Sequence, residues 1–373
     1  MYNPQPGNRL ADLDTPTVIV DLDLMEANIS RLMKHFQATK VGVRPHLKTT
    51  KSPALARKLL EAGAIGGCVS KVSEAEVMAA AGIEDLLITT EIVGSPKVAR
   101  LVELVKSHPK IKVVVDSLEG ATGLHEAMEK AAPGKTLDVL IELNVGQNRC
   151  GVEPGAPALA LAHQIARLES LRLCGVQGYE GHLQHLPDAQ EREQRCQEAM
   201  RRLSETARQL RQAGFSIEIV STGGTGTAQI CAGSEEITEV QPGSFIFMDT
   251  DYRNALGPTY ANALTILATV ISRPAPHRAV IDAGLKSLST DSGMAEVKDW
   301  PELKYRPGGD EHGILEWKET AETTRPLELK IGDRVEMLPS HIDTTINLHD
   351  YYYGHRCGLL EIIWPITARG KVQ

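Results

Sequence analysis

The sequence predicts an α/β fold in which a parallel (β/α)8 barrel of the TIM type is followed by a mostly β C-terminal domain. Three observations support this prediction: strand-like runs alternate with helical segments, eight such runs occur before about residue 250, and helical periodicity fades beyond about residue 260. Strands that alternate with helices form parallel βαβ units, and eight of them close a barrel. The expected domains are residues 16–262 for the barrel, and residues 1–15 plus 263–373 for the β-rich domain.

Each helix and strand is predicted from its pattern of hydrophobic residues. A strand at 17–20 precedes the barrel strands, and a helix at 23–38 is predicted by helical spacing of Ile29, Leu32 and Phe36. Barrel strands are predicted at 40–46, 66–71, 85–90, 111–116, 137–144, 172–179, 217–222 and 238–247. The helices between them include 52–63, 72–81, 95–107, 156–170 and 187–213. In the second domain, β runs are predicted at 279–281, 334–338 and 359–363.

Composition excludes several classes of function. The 373 residues are 42% hydrophobic and 24% charged, as is typical of soluble globular proteins. A net charge of -8 without a clustered basic face argues against a nucleic-acid partner, and no apolar run approaches the roughly 18 residues of a membrane span. The first six residues lack the features of a signal peptide. Six scattered cysteines without a Cys-x-x-Cys pair suit reduced thiols, so a cytoplasmic location is expected.

A histidine and a lysine follow the first predicted barrel strand, in the segment Arg44-Pro45-His46-Leu47-Lys48. Catalytic groups of barrel enzymes collect at the carboxyl ends of the strands. A partly desolvated lysine loses its charge readily and becomes a nucleophile able to form a Schiff base. Lys48 is therefore the predicted catalytic and cofactor-binding lysine.

Glycines and hydroxyl side chains follow the last two predicted barrel strands. This group comprises Thr222, Gly223, Gly224 and Thr225 after strand seven, and Gly243 and Ser244 at strand eight. Phosphates commonly bind on these two loops of a barrel, where backbone N–H groups approach the anion and hydroxyls donate to it. Such glycines also occur in ordinary turns, so the position of the loop carries the prediction. A phosphate opposite a lysine suggests pyridoxal 5′-phosphate.

A second informative stretch contains His341 and Asp343. In an extended segment, residues two apart face the same way, so an imidazole and a carboxylate can meet one ion. One nitrogen and one oxygen ligand, with water completing the shell, suit Mn²⁺ or Mg²⁺ and suit Zn²⁺ less well. A simple His-to-Asp hydrogen bond is the alternative. His349 and Asp350 form a lower-ranked pair, because adjacent residues of an extended segment point to opposite faces.

These motifs together resemble the fold-type III pyridoxal-phosphate enzymes of the D-threonine aldolase and D-serine dehydratase family, with alanine racemase as a more distant relation. The resemblance is carried by ordered motifs along nearly the whole chain, among them Arg-Pro-His-x-Lys at 44–48, Gly-Gln-Asn-Arg-Cys-Gly at 146–151, Gly-Gly-Thr-Gly at 223–226, Ser-His-Ile-Asp at 340–343 and Trp-Pro-Ile-Thr-Ala-Arg-Gly at 364–370.

The resemblance implies a homodimer and a small-molecule substrate, a D-3-hydroxy-amino acid. The expected reaction is metal-assisted retro-aldol cleavage, which converts D-threonine to glycine and acetaldehyde. Arg149 resembles the cofactor-contacting arginine of the family, and Tyr179 is expected near the ring or its phosphate. His185 is the first candidate for the base that deprotonates the substrate hydroxyl, and His182 is the second.

Other functions stay open at this point. In the dehydratase branch of the family, the corresponding motif resembles His-x-Cys, and its soft thiolate favours zinc. In this chain the cysteine position is occupied by Asp343, as in the aldolases. A D-serine or D-3-hydroxyaspartate dehydratase, a 3-hydroxy-D-aspartate aldolase and a non-catalytic pyridoxal-phosphate carrier are the alternatives. A racemase is less consistent with the sequence, because that chemistry needs no metal.

Overall fold

The structure is a computed structural model that describes residues 3–318 and 326–373. The chain divides into two compact units. One contains residues 31–48, 53–243 and 371–373, and the other contains residues 1–30, 49–52 and 244–370. Helix α1 (Leu22–Gln37) runs from the second of these units into the first.

The larger unit is a parallel barrel sheet surrounded by helices. Its strands within the described residues are β2 (Gly42–Val43), β3 (Gly67–Val69), β4 (Leu86–Ile88), β5 (Lys112–Val115), β6 (Leu137–Glu142), β7 (Leu171–Gly178), β8 (Ile219–Thr222) and β9 (Glu239–Val240). Its further helices are α2 (Pro53–Glu61), α3 (Val72–Ala80), α4 (Ser95–Ser107), α5 (Leu118–Ala131), α6 (Ala156–Ile165), α7 (Ala189–Gln212) and α8 (Ala228–Cys231). A 3-10 turn at Gly181–Leu183 follows β7.

The apolar pattern explains why these segments pack as they do. Helix α4 buries Val98, Leu101, Val102 and Val105, which share one face at helical spacing. Five consecutive strands each contribute one buried residue to a common cluster, formed by Cys68, Leu87, Val114, Leu140 and Cys174. Burial of each large aliphatic side chain stabilises the barrel by about 1.5–3 kcal/mol.

The sheet order is β2-β9-β8-β7-β6-β5-β4-β3 in the described part of the chain. The two ends of this order meet just beyond β2, where His46 forms a parallel bridge with Cys68. Leu47 N donates to Cys68 O at 2.7 Å, and Cys68 N donates to Pro45 O at 2.9 Å. These bonds satisfy the strand edges, and the structure confirms the predicted fold class.

Next to this closure the barrel contains a buried ion pair. Arg44 Nε lies 2.9 Å from Glu239 Oε1, and its Nη1 lies 2.6 Å from Asp85 Oδ1. The side chains of Arg44 and Glu239 are 4% and 3% exposed. Arg44 and these two carboxylates therefore join the segments around β2, β4 and β9.

The other unit is β-rich. Over the described residues its strands are β1 (Thr17–Asp21), β10 (Leu264–Ala275), β11 (Arg278–Ile281), β12 (Glu296–Val297), β13 (Leu303–Pro307), β14 (Gly313–Trp317), β15 (Arg334–Leu338), β16 (Tyr351–Arg356) and β17 (Leu359–Pro365). Two helices, α9 (Thr250–Leu256) and α10 (Ile342–Ile346), and two 3-10 turns, Leu10–Asp12 and Ser244–Ile246, belong with them.

Strand β1 lies in this β-rich sheet. It pairs antiparallel with β10 and parallel with β16, although the predicted boundary at residue 16 assigned it to the barrel segment. Its residues Val18, Ile19 and Val20 are fully buried, as expected for an apolar run in the middle of a sheet. The alternation of strands and helices along the sequence cannot show which sheet an isolated first strand joins.

No helix of the described residues is both long and apolar enough to cross a membrane.

Candidate active site

Lys48 lies five residues beyond β2, in a turn that the neighbouring strands hold in place. His46 sits between β2 and Lys48, and its Nε2 lies 3.0 Å from Thr89 Oγ1, just past β4. Lys48 N donates to His46 Nδ1 at 3.4 Å. The side chain of Lys48 is half-buried. Lys48 therefore lies just beyond the carboxyl end of β2, and its role as the cofactor lysine stays a prediction.

The loops after β6 and β7 bring together Arg149, Tyr179 and His182. Arg149 Cζ lies 5.6 Å from the centroid of the Tyr179 ring, a cation–π distance. Gly146 has a φ of 125° and lies so close to His182 that an added Cβ would be 3.3 Å from Cε1 of its ring. Glycine therefore allows the first loop to approach the imidazole of the second.

The two candidate bases lie three residues apart after β7, and both are exposed. Partial burial, with the nearby positive charge of Arg195, lowers the pKa of His182 below its ordinary value of 6.5. The imidazole of His182 is therefore neutral at neutral pH, as a general base must be. His182 adjoins Gly146, which lies in the Arg149 loop, whereas His185 lies farther along the chain.

The glycine-rich loop after β8 is organised around a buried carboxylate, Glu180. Thr222 Oγ1 donates to Glu180 Oε2 at 2.9 Å, and Thr227 Oγ1 donates to Oε1 at 2.5 Å. Gln184 Nε2 donates to the same Oε1 at 3.1 Å. All four of these side chains are buried. Glu180 was not selected from the sequence, because an isolated glutamate after a strand carries no local signal of its partners.

The backbone N–H groups of this loop also donate within the protein. Gly223 N donates to Glu180 Oε2 at 3.4 Å, Gly224 N to Thr227 Oγ1 at 3.1 Å, and Gly226 N to Gln184 Oε1 at 2.9 Å. The prediction expected the N–H groups of Gly223 and Gly224 to approach a phosphate. In this structure they, together with the Thr222 hydroxyl, hold the shape of the loop. Of the other predicted phosphate residues, Thr225 and Gly243 belong to the barrel unit, whereas Ser244 begins a 3-10 turn of the β-rich unit.

In the β-rich unit, His341 is the N-cap of helix α10 and Asp343 is the second residue of that helix. The expectation that both residues lie in one extended segment is therefore wrong, because the chain turns into a helix at Ile342. Burial lowers the pKa of His341, but the carboxylates of Asp343, Asp291 and Asp249 outweigh this effect and raise it. Both oxygens of Asp249 and both oxygens of Asp291 already accept hydrogen bonds within the protein, so His341 and Asp343 offer one nitrogen and one oxygen donor. That donor set fits a divalent cation such as Mn²⁺ or Mg²⁺.

The lower-ranked pair, His349 and Asp350, has other partners. His349 Nε2 lies 2.9 Å from the carbonyl oxygen of Ser287, and Asp350 pairs with Arg369 at 2.8 Å. Both contacts are structural.

Glu180, Cys196 and Cys231 form the one group of three His, Cys, Asp or Glu side chains, within the described residues, whose ligand atoms all lie within 4.8 Å of one another. Burial raises the pKa of Cys231 well above its ordinary value, so its thiol stays protonated, whereas metal ligation needs the thiolate. The Glu180 oxygens already accept hydrogen bonds from Thr222, Thr227 and Gln184. The group is therefore part of the packed core.

Comparison with known proteins identifies the family. The family described as "Alanine racemase, N-terminal domain" matches residues 20–251, and "Putative serine dehydratase domain" matches residues 263–355. A D-threonine aldolase of Arthrobacter sp is 41% identical over 369 residues, which are 98% of this chain and 95% of the relative. The chain belongs to the D-threonine aldolase family. The family predicted from the ordered motifs is confirmed.

Two further members of the D-threonine aldolase family show how evenly the likeness extends. A 3-hydroxy-D-aspartate aldolase of Paracoccus denitrificans (strain Pd 1222) is 37% identical over 376 residues, which are 98% of this chain and 95% of the relative. The crystal structure of D-threonine aldolase from Filomicrobium marinum matches with a TM-score of 0.93 and 40% identity, over 99% of this chain and 100% of that chain. Both the barrel and the β-rich unit are therefore family features.

Proposed function

We propose that this protein is a lyase that cleaves D-3-hydroxy-amino acids by a retro-aldol reaction, converting D-threonine to glycine and acetaldehyde with pyridoxal 5′-phosphate and a divalent cation. The observation that carries the proposal is the end-to-end similarity to two aldolases, at 41% and 37% identity over 98% of the chain. The contact of Arg149 with Tyr179 beyond the barrel strands, and the carboxylate of Asp343 near His341, are consistent with it.

The barrel residues fit the cofactor by their chemistry. Lys48 offers an amine that can attach to the aldehyde, and Arg149 and Tyr179 offer a cation and an aromatic face. Thr225 and Gly243 are the proposed phosphate contacts in this unit. Thr222, Gly223 and Gly224 are proposed to support the phosphate loop without contacting the phosphate, because their hydrogen-bond donors bind Glu180 and Thr227.

His341 and Asp343 are the proposed ligands of the divalent ion. When bound, pyridoxal phosphate supplies an electron-withdrawing ring that stabilises negative charge at the substrate Cα, and the ion lowers the pKa of the β-hydroxyl. A neutral imidazole then takes the hydroxyl proton. The Cα–Cβ bond breaks with its electron pair on Cα, the oxygen-bearing fragment leaves as acetaldehyde, and Cα accepts a proton to give glycine.

We place His182 ahead of His185 as the base, which reverses the order expected from the sequence. Its imidazole lies against Gly146, in the same loop as Arg149, and its lowered pKa keeps it neutral at neutral pH. General bases contribute about 10²- to 10⁴-fold to a rate. His182→Ala and His185→Ala serve as controls for each other, because the two histidines are close in sequence and both are exposed.

The 37% identity to a 3-hydroxy-D-aspartate aldolase favours 3-hydroxy-D-aspartate as a second substrate of the same class. A dehydratase acting by β-elimination is the alternative reaction, and it would release ammonia and a keto acid. A non-catalytic pyridoxal-phosphate carrier would yield no product at all. We also propose a cytoplasmic location, which is supported by the free thiols of all six cysteines in the described part of the chain. A homodimer is proposed from the family resemblance alone.

The test is product analysis with the purified protein loaded with pyridoxal phosphate and Mn²⁺. D-Threonine should give equimolar glycine and acetaldehyde. Lys48→Ala should remove both the visible absorbance of the bound cofactor and the cleavage, whereas Lys40→Ala, a change at an exposed lysine, should remove neither. Release of 2-oxobutanoate and ammonia would instead show dehydration. Unchanged cleavage by Lys48→Ala would exclude the proposed cofactor lysine.

A further inference from the structure

We propose that Asp291 is a positioning residue for the metal site: its carboxylate fixes the ring of His341 so that the other ring nitrogen faces the divalent ion. This inference rests on the proposed function, which assigns His341 as a metal ligand. Asp291 lies 50 residues before His341, in the polar turn Ser289-Thr290-Asp291-Ser292-Gly293, and no local pattern in the sequence links the two.

The carboxylate of Asp291 contacts the ligand histidine directly. Its Oδ2 lies 2.6 Å from His341 Nδ1. Its Oδ1 accepts hydrogen bonds from Ser289 Oγ at 2.6 Å and from Thr344 Oγ1 at 2.8 Å. Because both oxygens are bonded, the orientation of the carboxylate is restricted.

The segment that carries the two proposed ligands is held by a second carboxylate. Ile342 N, which lies between His341 and Asp343, donates to Asp249 Oδ2 at 3.1 Å, and Asp249 Oδ1 accepts from Tyr252 N at 2.9 Å. Asp249 is fully buried. The backbone of the His-x-Asp segment is therefore fixed by Asp249, while the His341 ring is fixed by Asp291.

The Asp291 turn is itself tied to the same region. Ser340 Oγ donates to Gly293 O at 2.8 Å, and Ser289 N donates to Thr345 Oγ1 at 3.3 Å. These bonds lie on both sides of Asp291. The carboxylate is therefore held beside His341 by hydrogen bonds on both sides of its turn.

The arrangement has a clear chemical consequence. With Nδ1–H donating to Asp291, the lone pair of the neutral imidazole lies on Nε2, so the tautomer that can bind a metal is selected. An anionic acceptor also makes the imidazole a stronger ligand. Loss of such an outer carboxylate typically weakens metal binding by about 10- to 100-fold.

The experiment titrates Mn²⁺ into the cofactor-loaded protein after EDTA treatment and dialysis, and follows free Mn²⁺ by electron paramagnetic resonance. Asp291→Asn and Asp291→Ala should each raise the Mn²⁺ dissociation constant about 10- to 100-fold while the number of sites stays the same. Asp299→Asn, a change at an exposed aspartate of the same unit, should match the parent. Asp291→Asn keeps the shape of the side chain, so it guards against a folding defect in Asp291→Ala.

His341→Ala separates this inference from the function on which it rests. If His341→Ala binds Mn²⁺ as tightly as the parent, the proposed metal site is wrong. If His341→Ala loses binding while both Asp291 variants keep the parent dissociation constant, Asp291 does not position the ligand. A fall in the number of sites at an unchanged dissociation constant would show a general structural role and would also overturn the inference.

Discussion

The buried ion pair at the barrel closure provides a sharp test of how the fold is held together. Replacing Arg44 with methionine keeps an unbranched side chain but leaves the carboxylates of Glu239 and Asp85 without their guanidinium partner. The side chains of Arg44 and Glu239 are only 4% and 3% exposed, so water cannot replace the lost partner. Asp85 is 34% exposed and also contacts Lys112 at 3.0 Å, so its charge remains partly compensated.

The expected cost follows from this difference in burial. Removing one partner of a buried pair destabilises a protein by about 3–5 kcal/mol. Arg100→Met is the matched control, because Arg100 also makes a two-point contact, with Glu76, but both side chains are about one-third exposed (35% and 37%). The control should lower the free energy of unfolding by about 0.2–1 kcal/mol. Arg44→Met/Glu239→Gln should be more stable than Arg44→Met, because it removes the stranded carboxylate.

Urea unfolding can assign the loss to the barrel. All three tryptophans, Trp300, Trp317 and Trp364, belong to the β-rich unit, so their fluorescence reports that unit. Most of the helical residues belong to the barrel unit, so far-ultraviolet circular dichroism reports mainly the barrel. Arg44→Met should move the dichroism transition to lower urea. A loss no larger than that of Arg100→Met would refute the assignment of this pair as a major support of the barrel.

Three further predictions concern the proposed site. His182→Ala should lower kcat by about 10²- to 10⁴-fold. In the parent, kcat/KM should fall as the pH drops through the lowered pKa of His182, below 6.5; His182→Ala should abolish this fall and His185→Ala should keep it, and the opposite pattern would make His185 the base. EDTA should abolish cleavage of D-threonine while leaving the cofactor absorbance largely intact, and full activity in chelator would contradict a metal on His341 and Asp343. Thr227→Val removes a donor to the buried Glu180 and should cost about 1–3 kcal/mol in urea unfolding; unchanged stability would show that the Glu180 bonds do not hold the loop.

The sequence predicts the barrel well because its strands are nearly continuous apolar runs. Residues 113–115 are buried valines, and such a run flanked by helical periodicity is readily recognised. The predicted strand at 238–247 is much shorter in the structure, since regular pairing ends at Val240 and a 3-10 turn begins at Ser244. Apolar composition shows that this segment is buried, but it does not distinguish a strand from another buried conformation.

The candidate site is less predictable because its contacts connect distant parts of the chain. Lys48, Arg149 and Tyr179 could be selected, since each follows a recognisable strand or lies in a family motif. Asp291 and Glu180 could not, because their roles depend on hydrogen bonds to residues up to 50 positions away. The glycine-rich loop after β8 was mispredicted in part for the same reason. Its composition suggested N–H donors to a phosphate, but in the folded chain the N–H groups of Gly223, Gly224 and Gly226 donate to side chains of the protein.

In the proposed site, one amine, that of Lys48, holds the cofactor at the end of the first barrel strand. Reduction of the cofactor-loaded protein with sodium borohydride would fix the cofactor to its lysine, and peptide mass spectrometry would locate it. We predict that the pyridoxyl group is found on the peptide that contains Lys48, at close to one per chain. A pyridoxyl group on any other lysine, such as Lys51 or Lys71, with Lys48 unmodified, would contradict the proposed site.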